Sequence, residues 1–249
     1  MPILNRPDGA IHYQEYGQGF PILLFAPGGL RSRMEMWHSP AGTTPKSWND
    51  WTKVLADKYR LIAMDQRNAG ASRTSIKADH GWHTYAADHL ALMDHLGIGK
   101  FHTLGGCIGG SFCLKLAELA PDRVAAQVLQ NPIGLDTKHP EYFPNSHAEW
   151  SREQIAARPE LDAGDLRAFG KNMWGGDFAY SVSRDFVRAC KTPSLLLPGD
   201  DIPHPACTSD ELKALLPGLE VIYPWKGPAH LDAQLHGVRA FLARHTPSR

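Results

Sequence analysis

Leu104-Gly105-Gly106-Cys107-Ile108-Gly109-Gly110-Ser111 follows an apolar run, Phe101–Leu104, and opens a stretch of helical spacing, Ile108–Ala120, closed by Pro121. A strand that turns straight into a helix folds the chain back on itself. No Cβ fits two residues before or two after the apex, and here both places hold glycine. The turn lifts the central side chain above the sheet and sets it at a helix N-terminus. Free N–H groups and the helix dipole stabilise an anion there. For the Cys107 thiol this raises the thiolate fraction. The N–H of Ile108 then faces an oxyanion formed on any acyl group joined to the sulfur. The glycines do not spell G-x-G-x-x-G, and the nearest phosphate-loop string, Thr43-Thr44-Pro45-Lys46-Ser47, lacks the glycine before lysine. A glycine turn around an inert buried cysteine is the alternative to a nucleophile.

Outward from this turn, short apolar runs alternate with helical stretches. Strands are expected at Ala10–Tyr16, Pro21–Phe25, Arg60–Met64, Phe101–Leu104, Val124–Leu129, Ser194–Leu197 and Leu219–Tyr223. Helices are expected at Trp82–Leu96, Ile108–Ala120, Ser209–Leu216 and Leu231–Ala243. Alternation of this kind implies parallel strands covered on both faces. Residues 132–192 break the pattern and are rich in aromatic and charged side chains. Ser146-x-x-Glu149 reads as a capping box and Asp177 as a second helix start. The expected organisation is an α/β core of residues 1–131 and 193–249, with a small helical cap at 132–192. Residues 31–51 form a long loop carrying Trp37, Trp48 and Trp51.

The chain has 249 residues, enough for a large core without disulfide or metal staples. Lys plus Arg equals Asp plus Glu at 26 each, so neither nucleic acid nor a membrane surface is an expected partner. No apolar run reaches membrane-span length and the start is no signal peptide. The four cysteines lack C-x-x-C spacing and read as reduced thiols of a cytoplasmic protein. The histidines and acids of residues 79–95 have no convincing ligand spacing, so no metal and no cofactor is expected.

These motifs, taken in order, resemble the α/β-hydrolase superfamily over nearly the whole chain. Pro27-Gly28-Gly29 is similar to its oxyanion loop, and Asp65-Gln66-Arg67-Asn68-Ala69-Gly70-Ala71-Ser72 to its D-x-R-G-x-G-x-S segment, with Asn68 where Gly is usual. Leu104 to Gly109 resembles the nucleophile elbow, with cysteine in place of serine. The resemblance implies an α/β-hydrolase fold, a mostly parallel eight-stranded sheet flanked by helices. It also implies the chain order nucleophile, acid, histidine. The acid is then expected in Pro198-Gly199-Asp200-Asp201-Ile202-Pro203-His204-Pro205, at Asp201 before Asp200; the other usual acid position holds Asn131. The histidine is expected in the last loop, Trp225-Lys226-Gly227-Pro228-Ala229-His230, at His230. Oxyanion donors are expected at the N–H groups of Leu30 and Ile108, and pocket walls at Gly29, Trp37 and Trp174. Arg31, Arg33 and Arg67 are weaker candidates for holding a substrate carboxylate.

The expected activity is cofactor-independent hydrolysis of a small ester, lactone or thioester, with a small-molecule acyl substrate and a Cys107–His230–Asp201 triad passing through an acyl-enzyme. An acyltransferase using the same acyl-cysteine, a carbon–carbon bond hydrolase or lyase, and a small-ligand receptor with weak catalysis stay open at this level.

Overall fold

The structure, a computed structural model, describes residues 2–39 and 46–248. Thr43-Thr44-Pro45 of the phosphate-loop comparison and part of the 31–51 loop fall on residues 40–45, outside the described ones. In chain order the elements are β1 (Ile3–Arg6), β2 (Gly9–Tyr16), β3 (Phe20–Phe25), α1 (Trp51–Val54), β4 (Tyr59–Met64), β5 (Arg73–Thr74), α2 (Trp82–His95), β6 (Phe101–Gly106), α3 (Ile108–Leu119) and β7 (Val124–Gln130). They continue with α4 (Tyr142–Ala157), α5 (Ala163–Trp174), α6 (Arg184–Ala189), β8 (Ser194–Leu197), α7 (Ala206–Leu215), β9 (Glu220–Val221) and α8 (Leu231–His245).

Among the described residues the strands form one sheet in the order β1-β2-β4-β3-β6-β7-β8-β9, with β5 paired on β2. From β4 to β9 the neighbours are parallel; β1 and β2 run antiparallel at one edge. The central strands carry apolar side chains on both faces because both faces are covered. Along β3, Ile22 and Leu24 enter one core with Trp37, Trp51, Leu61 and Phe241. Leu23 and Phe25 enter the other with Tyr85, Trp82 and Phe112. All six residues of β6 are buried. The C-terminal ends of β6, β7 and β8 therefore open side by side, where α/β sheets form their sites.

Four elements escaped the sequence reading. β1 is short and half polar, α1 has four residues, β5 has two, and α5 lies in the stretch without strand punctuation. Two helix starts are corrected. Ser146 sits inside α4, which begins a turn earlier at Tyr142. The helix expected at Asp177 begins instead at α6, where Ser183 Oγ accepts from the N–H of Phe186 at 3.1 Å. Phe178 and Tyr180 are held in left-handed backbone conformations, φ 53° and 62°. The reason is tertiary: Ser111 Oγ donates to Ala179 O and Ser181 Oγ donates to Ser111 O, pinning this turn to α3.

The segment after β4 is held by buried polar bonds. Asp65 accepts from the N–H groups of Met34 and Ala71, 3.0 and 2.8 Å, which ties the loop after β3 to the loop after β4. Arg67 is buried against Asp8 and Asp88, and its guanidinium is consumed there. Asn68 takes φ 56°, a conformation that glycine enters more easily. Its side chain accepts from the N–H of Thr74 and from Arg158 at the end of α4, anchoring that helix to the core.

Candidate active site

Cys107 stands at the apex between β6 and α3 with φ 60° and ψ −121°. Such backbone in a non-glycine residue persists only where its surroundings impose it. A Cβ on Gly105 would lie 2.1 Å from the carbonyl oxygen of Gly109, and one on Gly109 would lie 2.6 Å from that of Phe25. These are the two glycines that the sharp turn demands. The N–H of Cys107 donates to Gln130 O at 3.0 Å, fixing the apex against the end of β7.

The sulfur lies at one wall of a cavity of about 570 Å³. Pro27, Gly28 and Gly29 form another side, Tyr142 and Phe143 of α4 a third, and Asp201, His204 and Lys226 a fourth. His204, and not His230, faces the sulfur. Asp201-Ile202-Pro203-His204 is a closed turn: backbone bonds run both ways between Asp201 and His204, at 3.3 and 3.1 Å. Asp201 Oδ1 accepts from the His204 backbone N–H at 3.1 Å and from ring Nδ1 at 2.5 Å. The acid thus fixes the ring and its tautomer from within one turn. Nε2 at the far side is buried, without an oxygen or nitrogen partner among the described residues.

Burial alone would raise the Cys107 thiol, but His204 and the backbone N–H groups of Gly28 and Ile108 outweigh it and hold it below an ordinary thiol. His204 is shifted the other way: burial opposes its charge, yet Cys107 and Asp201 hold its pKa above that of a free imidazole. Opposite shifts in touching groups mean that each favours the charged form of the other, thiolate beside imidazolium. Cys113, two turns along α3, supplies the contrast. It is fully buried without such partners and pushed up to about 12, an inert thiol.

Three expectations need correction, for His230, Trp37 and Trp174. His230 belongs to a 3-10 turn, Pro228–His230, and does not line the cavity. The loop before it is clasped from outside: Gly227 N–H donates to Ser47 O, Asn49 Nδ2 to Leu231 O, and buried Trp225 Nε1 to Pro198 O. These bonds turn Lys226 toward the acids, where its Nζ contacts Asp200 and lies 3.5 Å from Asp201 Oδ2. The side chain of Leu30 is buried in the turn Gly29–Arg31, and beside Ile108 the amide of Gly28 also meets the sulfur. Trp37 is 1 % exposed and packs beneath Gly106 in the core. Trp174 is also a core residue, stacked behind Phe143 at 4.7 Å between ring centroids; Phe143, not Trp174, reaches the cavity. Cys107, Asp201, Ile108 and Gly29 do come together here.

The model of the alpha/beta hydrolase fold family matches residues 21–169, more than half of the sequence. The chain belongs to this family. Among similar proteins, a non-heme haloperoxidase of Rhodococcus erythropolis is 28% identical over 204 residues, 78% of this chain and 69% of that protein. A putative carbamate hydrolase, RutD, of Pseudomonas syringae is 33% identical over 101 residues, 41% of this chain and 39% of that protein. The enol-lactonase from Burkholderia xenovorans has the same fold, with a TM-score of 0.70, 20% identity, and 97% and 100% of the two chains covered. Within this α/β-hydrolase frame, no group of three or more His, Cys, Asp or Glu side chains among the described residues is placed to hold a metal. No helix among them is long and apolar enough to cross a membrane.

Proposed function

We propose that the protein hydrolyses a small activated acyl compound, an ester, lactone or thioester, through Cys107, His204 and Asp201. One observation carries this reading: the elbow cysteine faces an imidazole held by a carboxylate, and that contact lowers its thiol pKa. The hydrolase names of the relatives agree with it.

Sγ of Cys107 attacks the carbonyl carbon as thiolate. The amides of Gly28 and Ile108 receive the developing oxyanion. Collapse breaks the bond to the leaving group, which takes the proton of the His204 imidazolium. Neutral His204 then removes a proton from water, whose oxygen attacks the acyl-thioester. The second collapse returns thiolate and imidazolium and releases the acid. Asp201 holds the ring throughout and stays ionised. Residues 132–192 act as a cap whose α4 closes one side of the cavity. A reducing compartment such as the cytoplasm suits an enzyme that depends on a free thiol.

Intact-protein mass spectrometry after mixing with p-nitrophenyl acetate tests this directly. The wild type is expected to gain one acetyl group transiently, and Cys107→Ala none, with turnover lost in the same variant. Turnover surviving Cys107→Ala overturns the mechanism.

A further inference from the structure

At the end of β7 the cavity wall carries two side-chain amides. Gln130 is 2 % exposed and Asn131 6 %, and both line the cavity. The indole Nε1–H of Trp51 can only donate, and it meets Gln130 Oε1 at 2.7 Å. That bond settles which way the Gln130 amide points: its oxygen is taken, and Nε2 is the free end. Asn131 Oδ1 is fully covered, so the end of this amide left at the surface is Nδ2. Neither nitrogen is fully covered, and neither meets an acceptor among the described residues. Two neighbouring side chains therefore offer hydrogen-bond donors to the cavity.

These donors stand beside the nucleophile. Gln130 O accepts the N–H of Cys107 at 3.0 Å, and a Cβ on Gly106, the residue before Cys107, would lie 3.6 Å from Gln130 Nε2. The N–H of Asn131 donates to Leu197 O at 2.7 Å, which ties the pair to β8 as well. In the sheet β6 lies between β3 and β7, so Gly28 approaches the sulfur from one side and the amide pair from the other. The oxygen of the reacting carbonyl goes to the amides of Gly28 and Ile108. Gln130 and Asn131 are left for a second oxygen. Two further unpaired groups belong to residues of this cavity. Trp48 Nε1 can also only donate, and His204 Nε2 serves the sulfur. Asp201, an acceptor on the facing wall, is taken up by His204 and Lys226.

We propose that Gln130 and Asn131 read a second acceptor oxygen on the substrate, an oxo or ether oxygen close to the reacting carbonyl. The substrate class is then an oxygen-substituted acyl compound, not a plain alkanoyl ester of a plain alcohol. A hydrocarbon at this place leaves buried donors unpaired and is rejected relative to an oxygen. This rests on the acyl-cysteine reading above and deepens it.

The test uses paired probes of matched shape, one of each pair carrying the extra oxygen. In the acyl arm, p-nitrophenyl 4-oxopentanoate is set against 4-methylpentanoate, and 3-methoxypropanoate against pentanoate. In the leaving-group arm, S-(2-methoxyethyl) thioacetate is set against S-butyl thioacetate. Each kcat/KM ratio is divided by the ratio of hydrolysis rates in buffer, which removes intrinsic reactivity. Wild type is expected to favour the oxygen-bearing member by about fivefold or more in at least one arm, and that arm tells which half of the substrate carries the oxygen. Gln130→Glu keeps an acceptor for Trp51, and Asn131→Asp keeps the side-chain shape; at pH 8 each replaces a donor by a carboxylate oxygen. Asn131→Gly accepts the φ of 51° and removes the amide without adding charge. In at least one of these variants the preference is expected to fall to about one or below. Each ratio is taken within one variant, so altered absolute activity does not obscure it, and thermal melting checks that each variant folds. No preference in either arm for wild type, or a preference that survives all three substitutions, overturns the proposal. If no ester or thioester acylates Cys107, the acyl-cysteine reading fails instead.

Discussion

Two loops at the C-terminal edge of the sheet each offer a histidine, and they differ in what holds them. The loop after β8 closes on itself, with Asp201 and His204 three residues apart and joined by backbone and side-chain bonds. The loop before α8 is clasped by the 46–49 segment and by Pro198, so His230 stays in its 3-10 turn and Lys226 comes to the acids instead. A short, self-bonded turn positions an acid and a base with few degrees of freedom. A loop held by distant partners presents whichever side chain those partners leave facing inward.

Substitution of His204 is the severest way to break this contrast: His204→Ala is expected to lower kcat/KM by ~10²–10⁴, the usual worth of a positioned proton-transfer group. Steady-state rates on p-nitrophenyl acetate suffice to measure it. Next comes the acid. Asp201→Asn should reduce kcat/KM by roughly 10²-fold or more by releasing the ring and its tautomer, whereas Asp200→Asn, on the exposed side of the turn, should change it only a few-fold. Comparable losses in both variants would remove the distinction between the two aspartates.

A pH series sharpens the contrast from the side of the sulfur. The Cys107 pKa is lowered and that of His204 is raised, each by the other, so the pairing should show in the reactivity of the sulfur. Alkylation of Cys107 by iodoacetamide should stay fast well below an ordinary thiol pKa of ~8.5. In His204→Ala its inflection should move up, and the rate at neutral pH should drop about tenfold; a profile unchanged by that substitution would deny the pairing. Lys226→Met removes a partly exposed ion pair worth up to ~1 kcal/mol, so a loss in kcat/KM of about fivefold or less is expected. The smallest effect belongs to His230→Ala, within about twofold on the same assay. A large loss there would transfer the base to the last loop and overturn the comparison.

The legible parts of the site were those fixed by local sterics. Gly105 and Gly109 announce the sharp turn, because a side chain at either place meets backbone within 3 Å. Cys107 and Ile108 follow from that turn alone. The Gly and Pro context pointed to Asp201, which the structure places against His204 at the cavity. His204 lay in the same quoted string, three residues on, and the Asp-x-x-His spacing was the signal for it. Family order pointed to the last loop instead, and order along a chain does not say which loop reaches the nucleophile. Trp37 and Trp174 were read as pocket walls because aromatic residues suit both pockets and cores; which one receives them depends on the helices laid over them.

The sequence by itself determined the alternation of parallel strands and helices and the elbow with a cysteine at its apex. Strand periodicity, glycine spacing and helix starts act over a few residues, and their physics needs no distant partner. Only the tertiary structure decided which histidine faces Cys107 and which second amide meets the sulfur. Each depends on hydrogen bonds between segments tens of residues apart. Asn49 on α8, Trp225 on Pro198 and Ser111 on the turn before α6 set where three loops end up, and no local pattern encodes those meetings.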